Sequence, residues 1–248
     1  MTGICVLSNI SLRRDHESKS EIVSQLLFGE TFVVIEQSDG WTKVVTDDDE
    51  YTGWISSKQF EFLQSPIMGK DIATSFPFLR ANSSKGDIMI PAGSSIPNLI
   101  GEDFKINDIV YKLADKIIKC SIENLEEVAK KYLNVPYFWG GRSPFGIDCS
   151  GFVQTVYKQC GIQLKRDAYQ QAEHGTQVSF LEEIQCGDLA FFDNDEGRII
   201  HVGMMIDKNK IIHASGKVRI DTLDNFGILN MEENQYTHKL RIIKRMIV

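Results

Sequence analysis

Cys149, His201 and His213 are residues of the types, and in the order, that could supply a thiol nucleophile and the base it needs. A thiol attacks an acyl carbon as its thiolate, so some group must take the proton and later return one to the leaving amine. Imidazole titrates in the range that suits both tasks. Cys149 ends the glycine-rich stretch Tyr137-Phe138-Trp139-Gly140-Gly141-Arg142-Ser143-Pro144-Phe145-Gly146-Ile147-Asp148. After it, Phe152, Val153, Val156 and Tyr157 recur at helical spacing, with Gly161 as a stop. Cys149 is therefore predicted in the first turn of a helix. There, unpaired backbone N–H groups and the positive end of the helix dipole favour thiolate over thiol.

Of the five histidines, His16 and His238 lie in polar surroundings and His174 in a loop-like stretch. His201 opens the apolar run His201-Val202-Gly203-Met204-Met205-Ile206, and His213 lies in the next one, Ile211-Ile212-His213-Ala214-Ser215. If the chain turns through Asp207-Lys208-Asn209, His201 faces Ser215. His213 is then its diagonal neighbour on the same face, roughly 7–8 Å away between Cα atoms. A four-residue turn would put the rings on opposite faces. Either histidine alone reads as an ordinary core or surface residue. Two on adjacent strands, downstream of a helix-opening cysteine, point to Cys–His–His.

The 248 residues suffice for two modest domains with real cores. A net charge of −7 and a pI near 5.3 argue against nucleic acid as a partner. No apolar run approaches a membrane span, and Met1–Leu7 lacks the features of a signal peptide, so the expectation is a cytoplasmic protein off the membrane. No protein partner is inferred. Five scattered cysteines suit a reducing compartment and give neither a disulfide framework nor a zinc spacing, and no cofactor or metal is called for. Apart from Cys149, they read as small buried apolar side chains. Asp47-Asp48-Asp49-Glu50 reads as a solvated loop.

Residues 1–62 read as short strands at Ile4–Leu7, Ile22–Phe28, Thr31–Ile35, Trp41–Thr46 and Tyr51–Ile55, separated by turn signals. That spacing suggests a small barrel. Residues 63–115 are a β-rich linker or a second, degenerate unit of the same kind, since Ile90–Ile96 and Phe104-Lys105-Ile106 faintly echo Gly29–Val44. Over 116–248 the period changes. Ile122, Leu125, Val128, Ala129, Tyr132 and Leu133 share a helical face ending at Val135-Pro136, and the Cys149 helix follows. Strands are then expected at Leu189–Phe192, Ile199–Ile206, Lys210–Ala214 and Lys239–Ile247. Helices before an antiparallel sheet make an α+β domain, laid out as in papain-like thiol hydrolases.

The segments Pro136-Tyr137-Phe138-Trp139-Gly140-Gly141, Asp148-Cys149-Ser150-Gly151-Phe152, Gly187-Asp188-Leu189, His201-Val202-Gly203 and Ile212-His213-Ala214 together resemble the NlpC-type cysteine peptidases. These are papain-like hydrolases of bacterial cell-wall peptides. The Gly-Glu-x-Phe turn, the Asp-Gly-Trp-x-Lys-Val strand and the Gly-Trp-Ile close resemble bacterial SH3-like domains. The resemblance implies Cys149 as nucleophile, His201 as its base and His213 as the group that orients His201. Tyr137 would support catalysis by donating its hydroxyl to the oxyanion beside the Cys149 N–H. Trp139 reads as a core aromatic.

With an SH3-like part in front, the chain is similar to the γ-D-glutamyl-L-diamino acid endopeptidases of murein peptide recycling. That likeness implies a partner peptide, L-Ala-γ-D-Glu-L-diamino acid, whose free amine is held by acidic and tyrosyl groups. Asp148, Glu21 and Tyr51 are the candidates here, although Glu21 and Tyr51 read equally as solvated. An N-cap role would also account for Asp148. Ser150 with Arg166 and Asp167 could hold the D-glutamyl carboxylate, a planar match for guanidinium, or Arg166 and Asp167 could be a surface ion pair. Two rival functions remain: an endopeptidase of intact peptidoglycan, and a non-catalytic murein-peptide binding module.

Overall fold

The structure, a computed structural model, describes residues 1–246; Ile247, the expected end of the last strand, lies outside them. The chain is mostly β. Its α-helices among the described residues are short: α1 (Leu125–Lys131), α2 (Cys149–Gln159) and α3 (Ala168–Ala172).

The N-terminal strands form one antiparallel sheet around Cys5, Ile10, Leu12, Leu26, Phe32, Val44 and Ile55. Two of them, Asn9–Arg13 and Phe60–Phe62, were not expected from the sequence. Alternation accounts for the first once seen, because Ile10 and Leu12 point inward between polar neighbours. Residues 70–113 build a four-stranded sheet (Phe78–Ser83, Gly86–Pro91, Asp103–Ile106, Ile109–Leu113) and a two-stranded ladder. They pack on their own apolar cluster, into which Phe28 of the first sheet also inserts.

In the C-terminal part, strands Thr176–Val178, Gln235–Arg245, Leu189–Asp193, Ile199–Asp207, Lys210–Ser215, Lys217–Leu223 and Gly227–Asn230 lie side by side in that order. Gly227–Asn230 pairs back onto Gln235–Arg245, closing six strands into a barrel. A barrel this narrow has room only for side chains. Leu189, Phe191, Val202, Met204, Ile212 and Ala214 pack outward on Phe152, Val153 and Val156 of α2. Alternate residues (Ala190, Phe192, Met205, Ile211, Leu223, Ile228, Ile243) form a separate cluster that fills the interior.

The hairpin between Ile199–Asp207 and Lys210–Ser215 has the register the two histidines need. Met204 faces Ile212 and Met205 faces Ile211, which sets His201 and His213 on one face. The turn itself is tighter than expected, Asp207 pairing with Lys210, and a bulge at Ile206 restores the register.

The front of the molecule is bound to α2 by buried charge. Glu30 accepts from Arg142 (Nη1 and Nη2, both 3.0 Å) and from Lys158 of α2 at 2.5 Å, and Lys158 also meets Asp48 at 2.9 Å. Asp49 is buried and accepts from Gln154 Nε2 at 2.8 Å. The acidic run at 47–50, expected to be solvated, is thus partly a docking surface for α2.

Candidate active site

The approach to Cys149 is a loop folded on itself. Phe138 N–H donates to Ile147, Gly141 N–H to Phe138, and Asp148 N–H to Gly141. Gly140 has φ +79°, and a Cβ there would lie 2.4 Å from the Ile22 carbonyl oxygen, so this position admits only glycine. Asp148 is the N-cap of α2: its carboxylate accepts from Gly151 N–H at 2.7 Å and from Gly140 N–H at 2.9 Å.

Cys149 is the first residue of α2 and is buried. Burial pushes its thiol up to about 12, helped by the Asp148 charge; hydrogen bonds from backbone N–H groups of Val202 and Ser150 oppose the rise. At the helix start, desolvation and the neighbouring carboxylate thus work against the thiolate that the dipole and backbone N–H groups favour. The Val202 contact has a second meaning. Val202 follows His201, so the tip of α2 rests on the strand that carries the imidazole.

His201 Nε2 lies 2.9 Å from His213 Nδ1, with the rings nearly perpendicular. Beyond it, His213 Nε2 lies 3.0 Å from Asp221 Oδ2, and Arg219 grips Asp221 through Nε (2.7 Å) and Nη2 (3.1 Å). A third ring, His238, stacks on His201 with centroids 4.0 Å apart. Burial, then the neighbouring His213 and His238, holds His201 well below its usual value; burial likewise lowers His213, against the pull of Asp221. His238 falls to about 4, chiefly through burial. Asp221 and His238 are absent from the expected set. His238 looked like a surface residue because Thr237 and Lys239 beside it point outward on an alternating strand. Asp221 sat in Lys217–Leu223, a strand the sequence did not reveal.

The remaining candidates form two groups. Arg166 is 1 % exposed and makes four hydrogen bonds inside the chain: to Ser24 (3.0 Å), Ser150 (2.8 Å) and both Asp148 oxygens (3.1 and 2.6 Å). A guanidinium has five N–H donors, so little is left for a substrate carboxylate. Neither expected reading of Arg166 with Asp167 holds. Arg166 pairs with Asp148 in the interior, and Asp167 instead accepts from the Tyr51 hydroxyl (3.2 and 3.3 Å). Burial raises the pKa of both Tyr51 and Asp167, favouring their protonated forms. Glu21 accepts from Trp139 Nε1 at 2.7 Å and pairs with Arg14. Trp139, expected in the core, is 59 % exposed and stands at the loop edge as a donor to Glu21. Tyr137 is half-buried, its phenol raised by burial and by the nearby Cys149 and Asp148.

A thiol at a helix tip packs on the strand of a paired histidine within a mostly β chain, and similarity to known proteins gives the class to which this arrangement belongs. Residues 134–241 match the NlpC/P60 family, and residues 12–60 match the bacterial dipeptidyl-peptidase SH3 domain. The chain is 34 % identical over 263 residues to dipeptidyl-peptidase 6 of Lysinibacillus sphaericus, covering 90 % of this chain and 92 % of that one. It is 29 % identical over 245 residues to the γ-D-glutamyl-L-lysine dipeptidyl-peptidase of Bacillus subtilis (strain 168), covering 90 % and 81 %. Its fold is that of an NlpC/P60 family protein from Bacillus cereus, with a TM-score of 0.83 over 99 % of both chains at 21 % identity. The chain belongs to the NlpC/P60 family and is a hydrolase.

Proposed function

We propose that the protein is a cysteine endopeptidase that cuts the γ-D-glutamyl–L-diamino acid bond of small murein peptides with a free N-terminal L-alanine. The observation that carries this reading is Cys149 at the first turn of α2, in one packed cluster with Val202, the residue after a histidine already paired to a second. In this reading Cys149 passes its proton to His201 as the sulfur attacks the γ-carbonyl. The oxyanion is met by the Cys149 N–H and the Tyr137 hydroxyl. His201 then protonates the leaving amine, and water activated by the same imidazole frees L-Ala-D-Glu from the thioester. His213 orients His201.

Proton transfer is coupled to attack, because both partners are neutral at rest. The substrate ammonium is held by Glu21, Tyr51 and Asp167. Asp148, its lone pairs filled by chain donors, supplies negative charge from behind, and Arg166 and Ser150 fix it there. Residues 1–62 would form the SH3-like unit, 63–115 an intermediate β unit, and 116–248 the peptidase. The papain-like comparison belongs to this last unit, and five unpaired cysteines suit a cytoplasmic setting.

The test is mass spectrometry of products from L-Ala-γ-D-Glu-L-Lys and its diaminopimelate counterpart, each with a free and an acetylated N-terminus, and from whole sacculi. Cleavage of free tripeptides, slowed strongly by acetylation, is expected. Equal cleavage of acetylated peptide overturns the amine clamp, and preference for sacculi transfers the assignment to a cell-wall hydrolase.

A further inference from the structure

The barrel interior ends in a polar group whose innermost member has no part in the reaction as proposed so far. We propose that Asp221 is a positioning residue that fixes the tautomers of both histidines, leaving His201 with a bare Nδ1 for the Cys149 proton. This inference rests on the peptidase reading of the same site.

Asp221 is 2 % exposed, yet it is held ionised. Burial works to protonate it, but hydrogen bonds from His213, Arg219 and the Met231 N–H (3.0 Å) keep it well below the usual carboxylate range. An ionised carboxylate only accepts. The 3.0 Å contact with His213 therefore requires the proton on His213 Nε2. A neutral His213 then has a lone pair on Nδ1, and the 2.9 Å contact requires His201 to donate from Nε2. A neutral His201 protonated at Nε2 is unprotonated at Nδ1. One fixed charge thus dictates two proton positions in series, and the base nitrogen follows without any contact between Asp221 and substrate.

When His201 takes the thiol proton, the Asp221 charge lies at the far end of the same chain and steadies the imidazolium. The titratable groups facing His201 are His213 on its neighbour strand and His238 on Gln235–Arg245; behind His213 lie Asp221 and Arg219 on the next strand.

Two measurements test this. In ¹⁵N-labelled wild-type protein near neutral pH, both His201 and His213 should show pyridine-type Nδ1 and protonated Nε2. The opposite pattern in either ring overturns the proposal and needs neither a variant nor turnover. In Asp221→Asn, an amide N–H facing His213 Nε2 inverts both tautomers. Then His201 Nδ1 should be protonated, and kcat should fall by roughly 10²–10⁴ with KM within about threefold, as for a serine-protease aspartate replaced by asparagine. The pH–rate profile should lose the wild-type ascending limb. Asp221→Asn with wild-type tautomers and wild-type kcat sinks the inference. If the wild-type protein cleaves no murein peptide but its rings show the expected tautomers, the peptidase reading fails and the tautomer relay stands.

Discussion

In the proposed reading, a buried thiol held high and a buried imidazole held low make Cys149 a nucleophile that waits for its substrate. Iodoacetamide labelling of Cys149 should climb steadily with pH and show no plateau between about pH 6 and 8, where a standing thiolate–imidazolium pair would produce one. Cys149→Ala should abolish turnover while tripeptide binding, read by calorimetry, stays within a few-fold of wild type; surviving hydrolysis would dismiss Cys149 as nucleophile. His238 gives a finer test. Aromatic stacking contributes about 0.5–1.5 kcal/mol, so His238→Ala, which frees one face of His201, should cost roughly two- to tenfold in kcat with little change in KM. His238→Phe should restore most of it, and failure of that rescue would mean that the imidazole nitrogens, not the ring face, matter.

The strand pair carrying His201 and His213 depends on a missing side chain. A Cβ on Gly203 would meet His213 Cβ and the Ile211 side chain at 2.7–2.8 Å. Gly203→Ala should therefore spread the two strands, lowering stability by about 1–3 kcal/mol in urea melts and lowering kcat more than KM. An unchanged melt would show that the strands yield freely. Much at this level was legible beforehand: the Cys149 helix and the hairpin followed from periodicity, whereas the one-face placement of the histidines depends on a bulge at Ile206 that the expected three-residue turn did not include. Lys217–Leu223 was not. Its barrel-facing positions hold Arg219 and Asp221 beside Leu223, so the alternation that reveals a half-buried strand is broken by the very charge that the histidines require. Arg166 was misread for a related reason. Its neighbour Asp167 suggested a local pair, whereas its partners Ser24 and Asp148 are distant in sequence. No local pattern encodes such contacts.

Across the whole molecule, acid should be the weak point. His201, His213 and His238 all have lowered values in the folded state, so the unfolded chain binds their protons more readily. Their contribution is fully present above the unfolded value of about 6.5 and is lost as pH falls from there towards about 4. Asp221, and Asp48 under the influence of Lys158, are held low as carboxylates, so they add a loss of the same sign at still lower pH. The urea midpoint should thus drop steeply between about pH 7 and 5; a flat profile would contradict the burial of these rings.

Glu30 deserves the last consequence. One carboxylate of the leading sheet neutralises two cations, Arg142 and Lys158, that belong to the loop and helix bearing the nucleophile. Cutting the chain in two would bare those cations to water and take away the anions that hold the loop and helix in place. Each half thus completes the electroneutrality of the other at that seam, and removing the front should loosen the loop and helix that carry Cys149.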